Sequence, residues 1–175
     1  MRMWTMLVPV VAVLALAGPG RADDATKGDD KPLTDQVFVQ KAASSGMAEV
    51  AMGKLGQEMG KSEDVKKFSA RIVEDHTRAN QELMRIVADL KIEAPDRPRP
   101  EHEKHLKDLS GSAAANFDKD FIHHMVMSHE AGVKLFTRAS KELKNEQLRA
   151  FATKTLPTLQ EHLKMAKEIH DKVGK

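Results

Sequence analysis

The stretch SEDVKKFSARIVEDHTRANQELMRIVADLKI, residues 62–92, decides the fold because its apolar residues recur at steps of three and four. That spacing is the period of one face of an α-helix, and charged residues fill the opposite face. Ser62 is a favourable N-cap, and Glu63 and Asp64 suit the positive end of the helix dipole. The stretch therefore predicts a long amphipathic helix. Its apolar stripe is Val65, Phe68, Ile72, Val73, His76, Leu83, Val87 and Leu90.

The same period recurs along the rest of the chain. Long helices are predicted at residues 34–59, 62–92, 116–143 and 145–173, with a short helix at 101–109. No segment alternates polar and apolar residues as a β-strand would. The predicted class is all-α, a bundle of four long helices.

Prolines and small residues refine this prediction. Pro95, Pro98 and Pro100 exclude a continuous helix and predict a stiff link between the second and third long helices. Pro157 falls inside the last helix and is expected to kink it. The small residues at 42–46 predict close packing of the first helix against a neighbour.

Residues 1–22 have the pattern of a secretory signal peptide. Arg2 is followed by the apolar run MLVPVVAVLALAG, and the small residues Gly20 and Ala22 precede the expected cleavage point. An uncleaved membrane anchor is the weaker alternative, because a spanning helix needs about 20 apolar residues. Residues 23–33 are charged and predict a flexible tether, and residues 34–173 form the predicted domain. We therefore expect a protein of the periplasm or one exported further.

Composition excludes several classes of function. The chain has no cysteine, so lipoprotein anchoring, disulfides, thiolate metal sites and covalently attached haem are all excluded. Lys plus Arg number 28 against 26 Asp plus Glu; removing Arg2 and Arg21 with the signal peptide leaves 26 against 26. A neutral mature chain without a basic stripe is not expected to bind nucleic acid. No phosphate-binding loop or nucleophile with an adjacent base is present, so no nucleotide cofactor and no particular reaction is indicated.

Four ionisable residues lie near the midpoints of the four predicted long helices, each on the apolar side. They are Glu49, His76, His129 and His162. At 1.5 Å per residue each lies roughly 20–25 Å along its helix. The midpoint is the one level that antiparallel neighbours share, so the four side chains can meet in the core. Imidazole and carboxylate together are a ligand set for Zn²⁺, Cu²⁺ or Fe²⁺, and the sequence predicts a mononuclear metal site.

Other interpretations stay open. The histidines could form a core polar network in a metal-free structural or protein-interaction module of the envelope. The acids next to the histidines, Asp75, Glu130 and Glu161, would more naturally hold a histidine on a neighbouring helix than their own. His102 and His105 could bind metal at the surface or form a solvated turn, and His124 could approach the core one turn before His129. Non-covalent haem is not expected.

The chain resembles a family of bacterial exported proteins known as domain of unknown function 4142. The resemblance spans about residues 34–171 and is carried most specifically by Asp75-His76-Thr77 and by Leu156-Pro157 with His162. It implies a ferritin-like four-helix fold, and the family pattern includes the positions of Glu49, His76, His129 and His162. It implies no established activity and leaves protein partners undefined.

The chain departs from the di-iron sites that many ferritin-like proteins carry. Those sites use Glu-x-x-His motifs, whose carboxylates bridge two metal ions. Val73, Val126 and Leu159 stand three residues before the three histidines, so the bridging carboxylates are missing. A mononuclear site, or none, therefore fits the sequence better than a di-iron site.

Overall fold

The computed structural model describes residues 32–112 and 115–173, and within them every regular element is a helix. The elements are α1 (Asp35–Met59), α2 (Glu63–Leu90), α3 (Pro100–Ser110), α4 (Phe117–Glu142) and α5 (Glu146–Val173). The all-α prediction and the four long helices are confirmed. The predicted signal peptide and all but the last two residues of the predicted tether lie outside the described residues.

Local chemistry sets the helix ends where the sequence predicts them. The Thr34 hydroxyl accepts a hydrogen bond from the Val37 N–H at the start of α1. The Ser62 hydroxyl does the same for the Asp64 N–H at the start of α2. The Asn145 side chain accepts from the first free N–H groups of α5. Each cap satisfies backbone donors that have no partner inside the helix.

The long helices form two hairpins that pack together. Short loops make α1 antiparallel to α2 and α4 antiparallel to α5, and these pairs share the most extensive contacts. The hairpins meet through α2 with α5 and through α1 with α4, while α3 packs against α1 and α4. The link from α2 to α4 therefore crosses the bundle, which is the single long crossover of ferritin-like folds.

Small residues let α1 approach its neighbours closely. A Cβ atom on Gly46 would lie 2.0 Å from Asn80 Oδ1 of α2. A Cβ atom on Gly56 would lie 2.2 Å from Ser69 Oγ and 2.7 Å from Phe121 Cζ. All three distances are shorter than any that a real Cβ atom makes to an atom it is not bonded to. The close packing predicted for α1 is therefore confirmed.

The bundle has two apolar cores, one toward each end. The first contains Leu33, Phe38, Val39, Ala42, Ala43, Leu83, Val87, Phe136, Ala139, Leu143, Leu148, Phe151, Ala152 and Leu159. The second contains Ala48, Met52, Val65, Phe68, Ile72, Leu109, Phe117, Phe121, Ile122, Met125, Ala166 and Ile169. On α2, α4 and α5 the predicted site histidine lies between the two sets, and Glu49 lies at the same boundary on α1. The polar level of the bundle is therefore enclosed by apolar packing on both sides.

Leu33, the last residue of the predicted tether, is buried, and its N–H donates a hydrogen bond to Glu142 Oε2 at 3.2 Å. Among the described residues, no helix combines the length and the apolar character needed to cross a membrane.

Candidate metal centre

Three histidines from three helices meet at the middle of the bundle. His76 of α2, His129 of α4 and His162 of α5 have ring centroids 5.4–5.6 Å apart in each pairing. One nitrogen from each ring lies within 4.8 Å of the other two. The residues are 9%, 2% and 0% exposed, respectively. We call them the histidine triad.

Each ring of the triad has a buried nitrogen that no described protein group reaches with a hydrogen bond. These atoms are Nε2 of His76, Nε2 of His129 and Nδ1 of His162. A buried polar atom without a partner costs about 1–3 kcal/mol, so such atoms are rare in folded proteins. Because these atoms belong to three rings whose centroids lie 5.4–5.6 Å apart, the triad is a candidate set of metal ligands.

The second nitrogens of two triad histidines are held by the protein. Nδ1 of His129 lies 2.8 Å from the Met125 carbonyl, so it carries the proton and donates it there. Nε2 of His162 lies 3.0 Å from Asp75 Oδ2 and donates to that carboxylate. Each hydrogen bond fixes the tautomer of its ring and leaves a free lone pair on the other nitrogen, which is Nε2 in His129 and Nδ1 in His162. A carboxylate or carbonyl behind the ring is the usual support of a metal-binding histidine.

Asp75 holds a histidine of a neighbouring helix, as the sequence predicted, and not the adjacent His76. Its carboxylate also pairs with Arg71 and, at 3.5 Å, with Arg78. Burial acts to raise the pKa of Asp75, but the hydrogen bonds from Arg71 and His162 outweigh it and hold the pKa below its ordinary value. Asp75 is therefore an ionised acceptor.

The other acids beside the histidines have different roles. Glu130 pairs with Lys167 at 2.7 Å, and Glu161 lies 3.8 Å from Arg71. Neither carboxylate is hydrogen-bonded to a histidine of the triad. Of the acids that the sequence offered for this support, only Asp75 provides it.

Glu49 of α1 lies beside the triad but outside the group of closely spaced ligand atoms. It is 4% exposed, its Oε1 accepts a hydrogen bond from the Ser128 hydroxyl, and its Oε2 has no hydrogen-bond partner. Burial would raise the pKa of Glu49, but its electrostatic interaction with His129 and His76 and the hydrogen bond from Ser128 outweigh this effect and lower the pKa. The sequence analysis did not identify Ser128, although it directly precedes His129.

Burial favours the neutral form of His76 and His162. It lowers the pKa of His76 to about 4, and the attraction of Glu49 opposes this shift only in part. It also lowers the pKa of His162, against the effect of the hydrogen bond to Asp75. Phe68 adds to the apolar surroundings, with its ring 6.3–6.4 Å from the rings of His129 and His162. Neutral imidazole is the form that binds metal ions.

A cavity of about 170 Å³ adjoins the triad. Residues of α1, α2, α4 and α5 line it, and it extends from the histidines to the surface residues Arg78 and Lys154. Lys154 of α5 pairs with Glu82 of α2 at 2.9 Å at that outer end. Gly132 forms part of the wall; a Cβ there would meet only Leu159 Cδ1, at 3.9 Å. Sequence patterns do not predict such a space, because it depends on how four helices pack.

The donor set fits a transition metal. An ion with bonds of about 2.0–2.1 Å to nitrogen needs donor atoms about 3–4 Å apart, so small movements of the three rings suffice. Three imidazoles with a nearby carboxylate suit Zn²⁺, Cu²⁺ or Fe²⁺ better than Mg²⁺ or Ca²⁺, which prefer oxygen ligands. Glu49 is close enough to interact electrostatically with His129 and His76, and its free Oε2 is a candidate further ligand.

The remaining histidines lie away from the triad. His105 of α3 and His124 of α4 have ring centroids 4.6 Å apart. His123 lies near His170 of α5, with ring centroids 5.9 Å apart. The Nδ1 atom of His102 is hydrogen-bonded to Ser44 Oγ at 2.9 Å.

Fold and site together define a ferritin-like helical bundle with a cluster of histidines at its centre. The chain belongs to the family described as Domain of unknown function (DUF4142), which it matches over residues 19–169. The predicted resemblance is therefore confirmed. Comparison with curated protein sequences finds no significant match.

Two solved structures share the fold. CopM in its Cu(II)-bound form is 18% identical, with a TM-score of 0.70, covering 81% of this chain and 99% of the CopM chain. A DUF305 fragment from Deinococcus radiodurans is 14% identical, with a TM-score of 0.69 and the same coverage. At these identities the likeness establishes the helical bundle alone.

Replacing Asp75 with Asn is expected to weaken metal binding about 10–100-fold, because the group that holds His162 loses its charge. The affinity for Cu²⁺ would be measured by competition with a chelating dye. Glu74→Gln is the matched control, since Glu74 is the exposed neighbour and pairs with Arg78 only. Equal affinities in Asp75→Asn and wild type would show that the carboxylate does not support a ligand.

The metal-free protein is expected to lose stability as the pH falls from about 6.5 to about 4. The unfolded chain takes up a proton on His76 near its ordinary pKa of 6.5, whereas the folded chain does so only near 4. The free energy of unfolding should therefore fall by about 3 kcal/mol across this window. Glu49 and Asp75, whose pKa values are lowered, add a further loss below about pH 4.5.

Urea denaturation with chelator present, at several pH values, would measure this loss. A His76→Asn variant should show a shallower dependence between pH 6.5 and 4.5, and His170→Asn should match the wild type. A wild-type free energy of unfolding that stays constant over this range would contradict the buried neutral state of His76.

Proposed function

We propose that this protein binds a single transition-metal ion at His76, His129 and His162, with Glu49 as a fourth ligand or counter-charge, and handles that metal in the cell envelope. The observation that carries the proposal is the close approach of three buried imidazoles, each of which has a buried nitrogen that no described protein group satisfies. The expected signal peptide supports the envelope as its place of action.

The metal-free alternative explains the site less well. A core polar network stabilises a bundle when its members bond to one another. Here one nitrogen each of His129 and His162 is bonded to the protein, while the other nitrogen of each ring, Nε2 of His76 and Oε2 of Glu49 are buried without a partner. Metal-binding histidines are typically held in this way, with one ring nitrogen bonded to the protein and the other available to the ion.

Copper is the metal we favour. Sites of nitrogen and oxygen donors bind Cu²⁺ more tightly than the other divalent first-row metals, so copper competes best where it is present. The solved structure of CopM, which shares the fold, contains Cu(II). Zn²⁺ and Fe²⁺ are the alternatives for the same donors. Storage, buffering or delivery of the ion requires no further catalytic group.

Elemental analysis by mass spectrometry tests the proposal. The mature protein would be purified from its own periplasm without a histidine tag, alongside a His76→Ala/His162→Ala variant. About one equivalent of a transition metal in the wild type and none in the variant is expected, and the element found identifies the ion. A wild type that is empty and also takes up no added Cu²⁺, Zn²⁺ or Fe²⁺ would overturn the proposal in favour of a structural or interaction module.

A further inference from the structure

A second group of histidines lies along the seam between α3 and α4. The rings of His105 and His124 are 4.6 Å apart and nearly perpendicular, with an angle of 73° between their planes. His105 is exposed and His124 is half-buried. His102, one turn before His105 on α3, interacts electrostatically with both. A pair of imidazoles reaching from solvent toward the interior is a donor set that divalent transition metals accept.

The seam has a fixed geometry because α3 is anchored to α1. Ser44, fully buried on α1, accepts a hydrogen bond from the Arg99 N–H at 2.9 Å, at the start of α3. The same hydroxyl is hydrogen-bonded to Nδ1 of His102. Leu109 packs into the core and holds the other end of α3. The histidines of α3 are thus presented on a docked helix.

Glu49 is electrostatically coupled to both groups of histidines. Its carboxylate interacts with His129 and His76 of the triad and also with His124. Along α4 the order is His124, then Ser128, whose hydroxyl donates to Glu49, then His129 of the triad. The Oε2 atom of Glu49, which has no hydrogen-bond partner, is therefore an oxygen ligand available to an ion that moves from the exposed histidines to the buried ones.

We propose that His105 and His124 form a surface metal site that captures the ion, and that Glu49 carries it from there to the histidine triad. The transfer is a ligand exchange: nitrogen bonds to the ion break at the surface pair, a carboxylate oxygen bond forms, and nitrogen bonds of the triad replace it. The oxidation state of the metal does not change. The surface site stands by itself, whereas the transfer rests on the proposed function of the triad.

Binding stoichiometry tests the surface site. The mature protein would be titrated with Cu²⁺ alone in a calorimeter, as wild type, as His105→Ala/His124→Ala and as His129→Ala. The matched control is His123→Ala, which removes the neighbouring exposed histidine of α4 that faces α5 instead. We expect the wild type and the control to bind one equivalent of Cu²⁺ tightly and a second equivalent more weakly. The His105→Ala/His124→Ala variant should lose only the weakly bound equivalent. The His129→Ala variant should lose only the tightly bound one.

Each other result of the titration has a definite meaning. A double variant that binds as many equivalents as the wild type overturns the surface site. A wild type with no tight equivalent, but with a weaker one that disappears in the double variant, refutes the triad's function and the transfer while upholding the surface site. Because His105 is exposed and His124 is only half-buried, circular dichroism should show the His105→Ala/His124→Ala variant folded.

Loading kinetics test the transfer. With Cu²⁺ in stopped flow, the tight site of the His105→Ala/His124→Ala variant should fill several-fold more slowly than that of the wild type and of His123→Ala, and to the same final level. Equal rates would overturn the transfer and would assign the route to the cavity that reaches the surface beside Lys154 and Glu82.

Discussion

A His129→Ala variant is expected to lose the tight metal equivalent. His129 is 2% exposed, its Nδ1 donates to the Met125 carbonyl, and its buried Nε2 has no hydrogen-bond partner. The variant keeps only two of the three nitrogen ligands. Loss of a group that merely supports a ligand weakens metal binding by about 100-fold at most, so loss of a ligand itself should weaken it by more than that. Affinity for Cu²⁺ and Zn²⁺, measured by competition titration, checks this expectation.

Thermal unfolding provides a second readout of the same change. A ligand at 100 times its Kd stabilises the folded state by about 2.7 kcal/mol, so added metal should raise the Tm of wild type clearly. The Tm of His129→Ala should barely respond, while His123→Ala should behave as the wild type does. If metal raises the Tm of His129→Ala as much as that of wild type, the triad is not the binding site.

A Phe38→Ala variant is expected to destabilise the bundle by about 3–5 kcal/mol, the cost of emptying a buried aromatic site. Phe38 of α1 is fully buried, and its ring lies 5.2 Å from that of Phe136 on α4 and 6.4 Å from that of Phe151 on α5. The ring therefore joins both hairpins in the first apolar core. For a domain of this size the Tm should fall by roughly 6–20 °C.

The neighbouring residue provides the control. Val37 is 42% exposed, and Val37→Ala should change the free energy of unfolding by less than about 0.5 kcal/mol. Both variants would be measured by urea denaturation with chelator present, so that metal binding does not contribute. Equal stability of Phe38→Ala and wild type would mean that this aromatic cluster does not hold the hairpins together.

The sequence predicts the helices well because α2 buries one clear apolar stripe and because α1, α2 and α5 begin at recognisable capping residues. The stripe through Phe68, Ile72 and His76 identifies the buried face of α2 before any neighbour is known. The positions of the three histidines at mid-helix follow from residue counting alone. Their meeting follows from the antiparallel arrangement, which makes the midpoint common to every helix.

The parts of the site that sequence could not predict depend on side-chain orientation. Whether His162 presents Nδ1 or Nε2 is decided by Asp75, which reaches it from another helix. Glu49 shares the level of the triad, but its carboxylate turns toward Ser128 and stays outside the closely spaced group. The pairing of His105 with His124 depends on where the crossover places α3, and no periodicity encodes that placement.

The two cores on either side of the triad give metal loading a consequence for the lifetime of the protein. An ion bound at His76, His129 and His162 would tie α2, α4 and α5 together where the apolar packing is interrupted. Openings that part the hairpins would then require release of the ion first, and proteases cleave the opened state. Proteases would therefore degrade the empty protein faster than the loaded one. Its abundance would follow the supply of metal without any change in its synthesis.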